Sequence, residues 1–215
     1  MLQRNKIMFF GLIMLFASQL TSHAQLSFGK PEKINEQWEF YLGDIPNEKS
    51  RWLSIDLPHD WSVKESLSPS LASCQGYLPG GVGWYRKTIM IPQEKQGEKI
   101  YLYFEGVYNR SEVFVNGQSV GNRPNGYISF AYDITPLIKF GEKNTIAVRV
   151  DHSQSADSRW YTGSGIYRNV WLVTANPVHI AQWGVFASCG DFKNLNVDVE
   201  IANESSENES LTVIN

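Results

Sequence analysis

The stretch Asp157-Ser158-Arg159-Trp160-Tyr161 gathers a carboxylate, a guanidinium and two aromatic rings within five residues. Flat aromatic faces beside charged hydrogen-bonding groups suit a sugar ring, which offers both C–H faces and hydroxyls. Asp157, Arg159, Trp160 and Tyr161 are therefore candidate substrate-binding residues. Each also fits a plainer role. Asp157 can be a solvated turn residue and Arg159 an ion-pair partner that holds the loop. Trp160 and Tyr161 can simply cover the end of a β-sandwich. Immediately downstream, Gly163 and Gly165 flank Ser164 and allow a sharp turn or a close backbone approach. Val170 and Leu172 then alternate with Trp171 and Val173, the period of a strand. The spacing thus places the polar and aromatic residues on a loop held by a strand, where function concentrates.

Other chemistry finds little footing. The four histidines stand at 23, 59, 152 and 179 without ligand spacing, so neither a metal nor a cofactor is expected. No serine lies in a nucleophile-elbow context. Asn35-Glu36 and Asn203-Glu204 sit in polar turn surroundings. His59 and Asp60, between Pro58 and Trp61, read as a tight structured corner. Cys74 lies in a Ser/Pro/Gly loop and Cys189 beyond the main domain, so both are expected to be free thiols.

The elements that must position the loop are all β. Trp38 to Leu42 reads as the first strand, and Ser66 to Pro79 as a long loop. Trp84 to Ile91 is a strand. In the next, Ile100, Leu102 and Phe104 share a face. Val113 and Val115 lead into Asn116-Gly117, a strong type I′ hairpin signal. Ile128 to Tyr132 reads as a strand. Thr135 is placed as the N-cap of a short helical turn, with Pro136 at its first position. Ile146, Val148 and Val150 face inward on a later strand. Short strands at this spacing argue for a sandwich or jelly roll. Asn176-Pro177 marks a boundary. Past it, His179 to Ala187 and the alternating Val197, Val199 and Ile201 read as strands, and Leu211 to Ile214 begins another. So few strands cannot bury both faces of a second sandwich, so a truncated or fragmentary chain is expected.

The 215 residues suffice for one full domain and part of another. Aromatics make up 13% of the chain, including seven tryptophans, enough for a sandwich core with some left for a carbohydrate surface. The formal net charge of −3 and the lack of a basic cluster argue against nucleic acid as a partner. At the N-terminus, Arg4 and Lys6 precede an apolar run from Ile7 to Ala17, and Ser22-His23-Ala24 offers a small-x-small cleavage site. The run is short for a bilayer span. Residues 1–24 are thus expected to be a signal peptide. The mature chain would begin near Gln25 in the periplasm or outside the cell, with no membrane association after cleavage.

Several segments together resemble a known family. Ser158-Arg159-Trp160-Tyr161-Thr162-Gly163-Ser164-Gly165-Ile166-Tyr167-Arg168-Asn169-Val170-Trp171-Leu172 is similar to the end of the N-terminal sugar-binding domain of glycoside hydrolase family 2, in its bacterial β-galactosidase branch. Leu57-Pro58-His59-Asp60-Trp61, the Gly-rich run from Gly76 to Lys87, Phe104-Glu105-Gly106-Val107, Val113 to Gly117 and Gly126 to Phe130 resemble further motifs of that domain, in order, over roughly residues 34–188. The resemblance implies an all-β fold: a jelly-roll (galactose-binding-like) β-sandwich over 25–178, then an incomplete immunoglobulin-like β-sandwich over 179–215. It also implies a division of labour. Family members hydrolyse glycosides with two carboxylates on a barrel that follows the second domain, and the jelly roll lends a loop to the sugar pocket. That loop corresponds to Asp157–Tyr161. Neither catalytic motif is present in this chain, and a barrel of about 250 residues has no room in it. The implied partners are a β-galactoside-like glycan and the catalytic barrel of the full-length enzyme, with the chain inactive alone. Two other readings stay open: a stand-alone carbohydrate-binding module, which calls for an exposed aromatic platform, and a structural sandwich, which calls for those aromatics to be buried.

Overall fold

The computed structural model describes residues 28–154, 158–191 and 193–212. The signal-peptide expectation over residues 1–24 and the strand expected at Leu211–Ile214 fall wholly or partly outside that range; Leu211 and Thr212 themselves are not in a strand. Among the described residues the strands are β1 (Lys30–Lys33), β2 (Trp38–Leu42), β3 (Leu53–Ile55), β4 (Gly81–Met90), β5 (Lys99–Phe104), β6 (Ser111–Val115), β7 (Gln118–Arg123), β8 (Phe130–Asp133), β9 (Lys143–His152), β10 (Val170–Ala175), β11 (Val178–Ser188) and β12 (Asn196–Asn203). A four-stranded sheet runs β1-β10-β5-β8 and a six-stranded sheet β3-β2-β4-β9-β6-β7. The two pack face to face as a β-sandwich with antiparallel pairing throughout.

The alternation read from the sequence builds the core. Ile100, Leu102 and Phe104 of β5 are fully or almost fully buried against Ile146, Val148 and Val150 of β9 and Val113 and Val115 of β6. Phe104 stacks on Phe130 at 5.0 Å between ring centroids. The hairpin between β6 and β7 turns at Asn116 and Gly117, with φ of 50° and 81°, the left-handed pair that a type I′ turn requires. Asn116 does more than turn. Its side-chain amide donates to Leu137 O and to Asn144 Oδ1, and its Oδ1 accepts from Thr145 N, which pins the hairpin to the neighbouring loop.

Several expectations need correction. The first strand is β1, not Trp38–Leu42. Lys-Pro-Glu-Lys has no apolar alternation, but as an edge strand it needs only its backbone to pair with β10, and an edge tolerates Pro31. The strand expected from Ile128 starts at Phe130, and Tyr127 and Ile128 turn outward into solvent. Thr135 is not a helix cap. It opens a 3-10 turn over Thr135–Leu137 whose first residue is preceded by Ile134, and its hydroxyl instead accepts from Ile100 N. Asp133 supplies the side-chain acceptor, for Thr135 N.

Beyond the sandwich, β11 and β12 form a two-stranded ribbon with a register shift between Ile180 and Val185. It leans on the sandwich through Glu204, which accepts from Tyr101 Oη at 2.8 Å and pairs with Lys99 at 3.0 Å. Trp183, Phe186 and Leu195 of this ribbon and its turn are exposed.

Candidate functional site

The segment between β9 and β10 crosses from the six-stranded sheet to the four-stranded one and so closes one end of the sandwich. Its return half is tied down by backbone bonds from two directions. His59 N donates to Ile166 O and Trp61 N to Ser164 O, while Tyr108 and Gly165 exchange both backbone hydrogen bonds at 2.9 Å. Gly165 has φ of +123°, and a Cβ there would strike the Tyr85 hydroxyl and lie 2.7 Å from His59 O. Gly163 has φ of +73°, with the space for a Cβ taken by Asp60 Oδ2 at 2.7 Å. The two glycines read from the sequence thus serve both purposes, turn and close approach.

Under this turn lies a buried polar chain with a fixed direction. Ser62 Oγ donates to Pro79 O at 2.7 Å, a carbonyl that can only accept. Ser62's one hydrogen is therefore used, and Ser164 Oγ must donate to it across 2.6 Å. His152 Nδ1, 2.6 Å from Ser164 Oγ, is then the donor at the end of the chain. A serine bonded to a histidine suggests a nucleophile and its base, but here the hydrogen points from histidine to serine and Ser164 is 0% exposed. The pair is a structural brace.

His59 is neutral for a related reason. It is 6% exposed, packed 4.7 Å from the Phe40 ring. Burial, then the Lys64 charge, pushes its pKa down to about 4, against a smaller opposing pull from Asp60. Tyr85, whose phenol burial pushes well up in pKa, bonds His59 Nδ1 at 2.9 Å. The two groups share this bond as a neutral pair, whichever of them carries the bridging hydrogen.

Asp60 joins this base to the exposed loop. Its Oδ1 accepts from Ser62 N at 3.0 Å and Ser164 N at 2.9 Å, and its Oδ2 from the Tyr161 hydroxyl at 2.5 Å. Partial burial, then that bond to Asp60, raises the pKa of the Tyr161 phenol, so it stays a donor across the physiological range. Tyr161 nonetheless remains 41% exposed and Trp160 60% exposed. Trp160 Nε1 donates to the Tyr127 hydroxyl at 3.0 Å, and Thr162 Oγ1 to Gln75 Oε1 at 3.2 Å.

The structure therefore leaves Arg159, Trp160 and Tyr161 all exposed, with Trp160 tied to Tyr127 and Tyr161 to Asp60. Asp157 lies outside the described residues. The reading in which Trp160 and Tyr161 are buried sandwich cover does not hold, since both show large exposed areas. Asp60, read as part of a corner, and Tyr127, read as the residue before a strand, escaped the sequence analysis as site residues. A signal for Asp60 was present in the Leu57–Trp61 motif, since a carboxylate in a tight corner seeks several donors; for Tyr127 the signal was its place in the Gly126–Phe130 motif. A groove of about 390 Å³ lined by Lys33, Glu36, Lys87 and Leu172, among others, contains no residue of the loop. Among the described residues no three His, Cys, Asp or Glu side chains gather as a metal would need.

Residues 31–176 match the family model described as glycosyl hydrolases family 2, sugar binding domain. The chain belongs to glycoside hydrolase family 2. Within that family it is 44% identical over 192 residues to a β-galactosidase of Bacteroides ovatus, covering 84% of this chain and 23% of that protein. It is 40% identical over 180 residues to a putative β-glucuronidase of Formosa agariphila, covering 78% of this chain and 17% of that one. The crystal structure of a β-glycosidase from Bacteroides vulgatus superposes with a TM-score of 0.75 at 40% identity, over 83% of this chain and 25% of that one. The chain thus spans a quarter or less of the length of these relatives, and the matched stretch is the family 2 sugar-binding domain.

Proposed function

We propose that this chain is the sugar-binding portion of an exported β-galactosidase-like family 2 glycoside hydrolase. Its Asp157–Tyr161 loop helps to shape the sugar pocket of a catalytic barrel, and the chain alone hydrolyses no glycoside. The observation that carries the reading is the exposure of Trp160 and Tyr161 on a loop clamped from beneath by Asp60. Aromatic side chains left in solvent on a rigid base are what a sugar contact needs, because little freedom is lost on binding. The relatives' names supply the substrate class, a β-galactoside or β-glucuronide. Retaining hydrolysis needs an acid and a nucleophile about 5–5.5 Å apart across the glycosidic bond, which the barrel would supply. The loop's part is orientation: hydrogen bonds to the sugar's hydroxyls and contact with its C–H face, whose loss can cost about a hundredfold in rate.

The test has two arms. The mature chain from Gln25, whose N-terminus is sequenced after export, is assayed with chromogenic β-galactoside and β-glucuronide and is expected to release nothing. Asp157→Ala and Arg159→Ala are then made in a chimera carrying the remaining domains of a close relative. A fall in kcat/KM of tenfold or more, on the order of what lost orientation costs, is expected. Unchanged kcat/KM in both variants, or turnover by the short chain abolished by a point mutation within it, would refute the proposal.

A further inference from the structure

Tyr127 comes from a segment more than thirty residues before the loop, yet its hydroxyl accepts the Trp160 indole hydrogen at 3.0 Å. Its exposure, 53%, is built into the fold. A Cβ at Gly126 would run into the buried Tyr108 ring, so the backbone is pressed against that ring. Tyr167 Oη fixes the same residue by donating to Gly126 O at 2.7 Å. The Tyr108 ring in turn supports Tyr127 edge-on, with centroids 5.4 Å apart and planes at 66°. Tyr127 is thus braced from within, and its hydroxyl oxygen satisfies the Trp160 indole hydrogen. Among the described residues, what the pair shows to solvent is aromatic surface held in place from beneath. Arg159 and Tyr161 are exposed in the same loop; Arg159 offers donors, and Tyr161, its hydrogen given to Asp60, offers its hydroxyl oxygen as an acceptor. Two rigid aromatic side chains rimmed by hydrogen-bonding groups complement a pyranose, whose C–H face is apolar and whose edge carries hydroxyls.

We propose that Tyr127 and Trp160 together form a stacking platform for the C–H face of a β-linked pyranoside, and that this chain binds such a sugar through it without the rest of the enzyme. The choice of sugar rests on the proposed function above, while the platform itself rests on the Tyr127 geometry.

The experiment uses the full chain, labelled with 15N and titrated with β-1,4-galactobiose. The Trp160 indole N–H resonance, assigned by its disappearance in Trp160→Phe, is the readout, because that hydrogen lies at the joint of the pair. A saturable shift with a millimolar dissociation constant is expected. Tyr127→Ala, at an exposed position, is expected to keep the circular dichroism spectrum and to weaken binding by at least about tenfold. Tyr127→Phe keeps the ring and loses only the acceptor, and is expected to bind within about threefold of the parent. A shift that survives Tyr127→Ala unchanged would overturn the platform and leave any sugar contact to the loop alone. No shift in the parent chain at tens of millimolar sugar would overturn binding without the barrel. Neither result touches the loop's role in the complete enzyme, which the kcat/KM of Arg159→Ala decides separately.

Discussion

Protonating His59 should loosen the corner on which the loop stands. His59 is 6% exposed and shares a hydrogen bond with Tyr85 at Nδ1. Its pKa in the folded chain is about 4, against 6.5 for an ordinary histidine. Between those values the unfolded chain binds a proton that the native chain refuses, so stability rises with pH across the window. The contribution is fully present above about pH 6.5 and is lost as the pH falls toward 4. Each pH unit crossed is worth about 1.4 kcal/mol, so moving to about pH 5 crosses roughly 1.5 units and costs at most about 2 kcal/mol. The expected loss is about 1–2 kcal/mol. Glu39, held low first by its hydrogen bond from Arg86, begins to lose its contribution only as the pH falls through the ordinary value of 4.5, and so keeps most of it at about pH 5. The assay is urea unfolding, followed by tryptophan fluorescence, at about pH 7.5 and about pH 5. His59→Gln serves as the comparison, because its amide can donate to or accept from Tyr85 but does not titrate. The parent should lose about 1–2 kcal/mol more than the variant between the two pH values. Equal losses would show that His59 is already protonated or readily solvated in the native state, and the reasoning from burial would fail.

Gly165→Ala should cost about 3–4 kcal/mol, because it forces a side chain to φ of +123° and drives a Cβ toward the Tyr85 hydroxyl and His59 O. Gly190→Ala, where a Cβ meets nothing within 4 Å, should stay within about 0.5 kcal/mol of the parent in the same urea melts. Asp60→Asn should destabilise by about 1–3 kcal/mol. It should also let the Tyr161 phenol titrate nearer to about pH 10, read as one tyrosine ionising earlier in the ultraviolet absorbance. Deleting residues 190–215 removes the partly exposed Glu204 contacts to Lys99 and Tyr101 and should cost no more than about 1 kcal/mol. The same deletion removes β12 and leaves β11 without its partner strand, and higher aggregation by light scattering is the expected cost.

What could be read directly from the sequence was whatever repeats at short range. The inward faces of β5 and β9 are visible in the alternation of Ile100, Leu102 and Phe104 and of Ile146, Val148 and Val150, because burying one face of a strand demands a period of two. Asn116-Gly117 announces its own turn, since few pairs tolerate two left-handed residues. By contrast β1 is stabilised by backbone pairing at an edge, which leaves no mark on side-chain choice. The bonds from Asp60 to Tyr161 and Ser164 join residues 101 and 104 apart, so no local pattern encodes them. Tyr127 was read only as the residue before a strand at Ile128, whereas that strand begins at Phe130 and the contact of Gly126 with Tyr108 turns Tyr127 outward. The aromatic half of the loop was therefore legible, and its foundation was not.

Because the loop bridges two sheets, its position is a readout of how those sheets sit on each other. Its entry is anchored at His152 on one sheet and its exit at Val170 on the other, and facing sheets stand about 10 Å apart across a packed core. A sliding of one sheet over the other by a fraction of a side chain would pull the two anchors in different directions. Core changes such as Phe104→Leu or Val148→Ala, neither of which lies on the loop, would then act at a distance as a tensioner on Trp160 and Tyr161. The grip on a sugar would be set in part by the filling between the sheets.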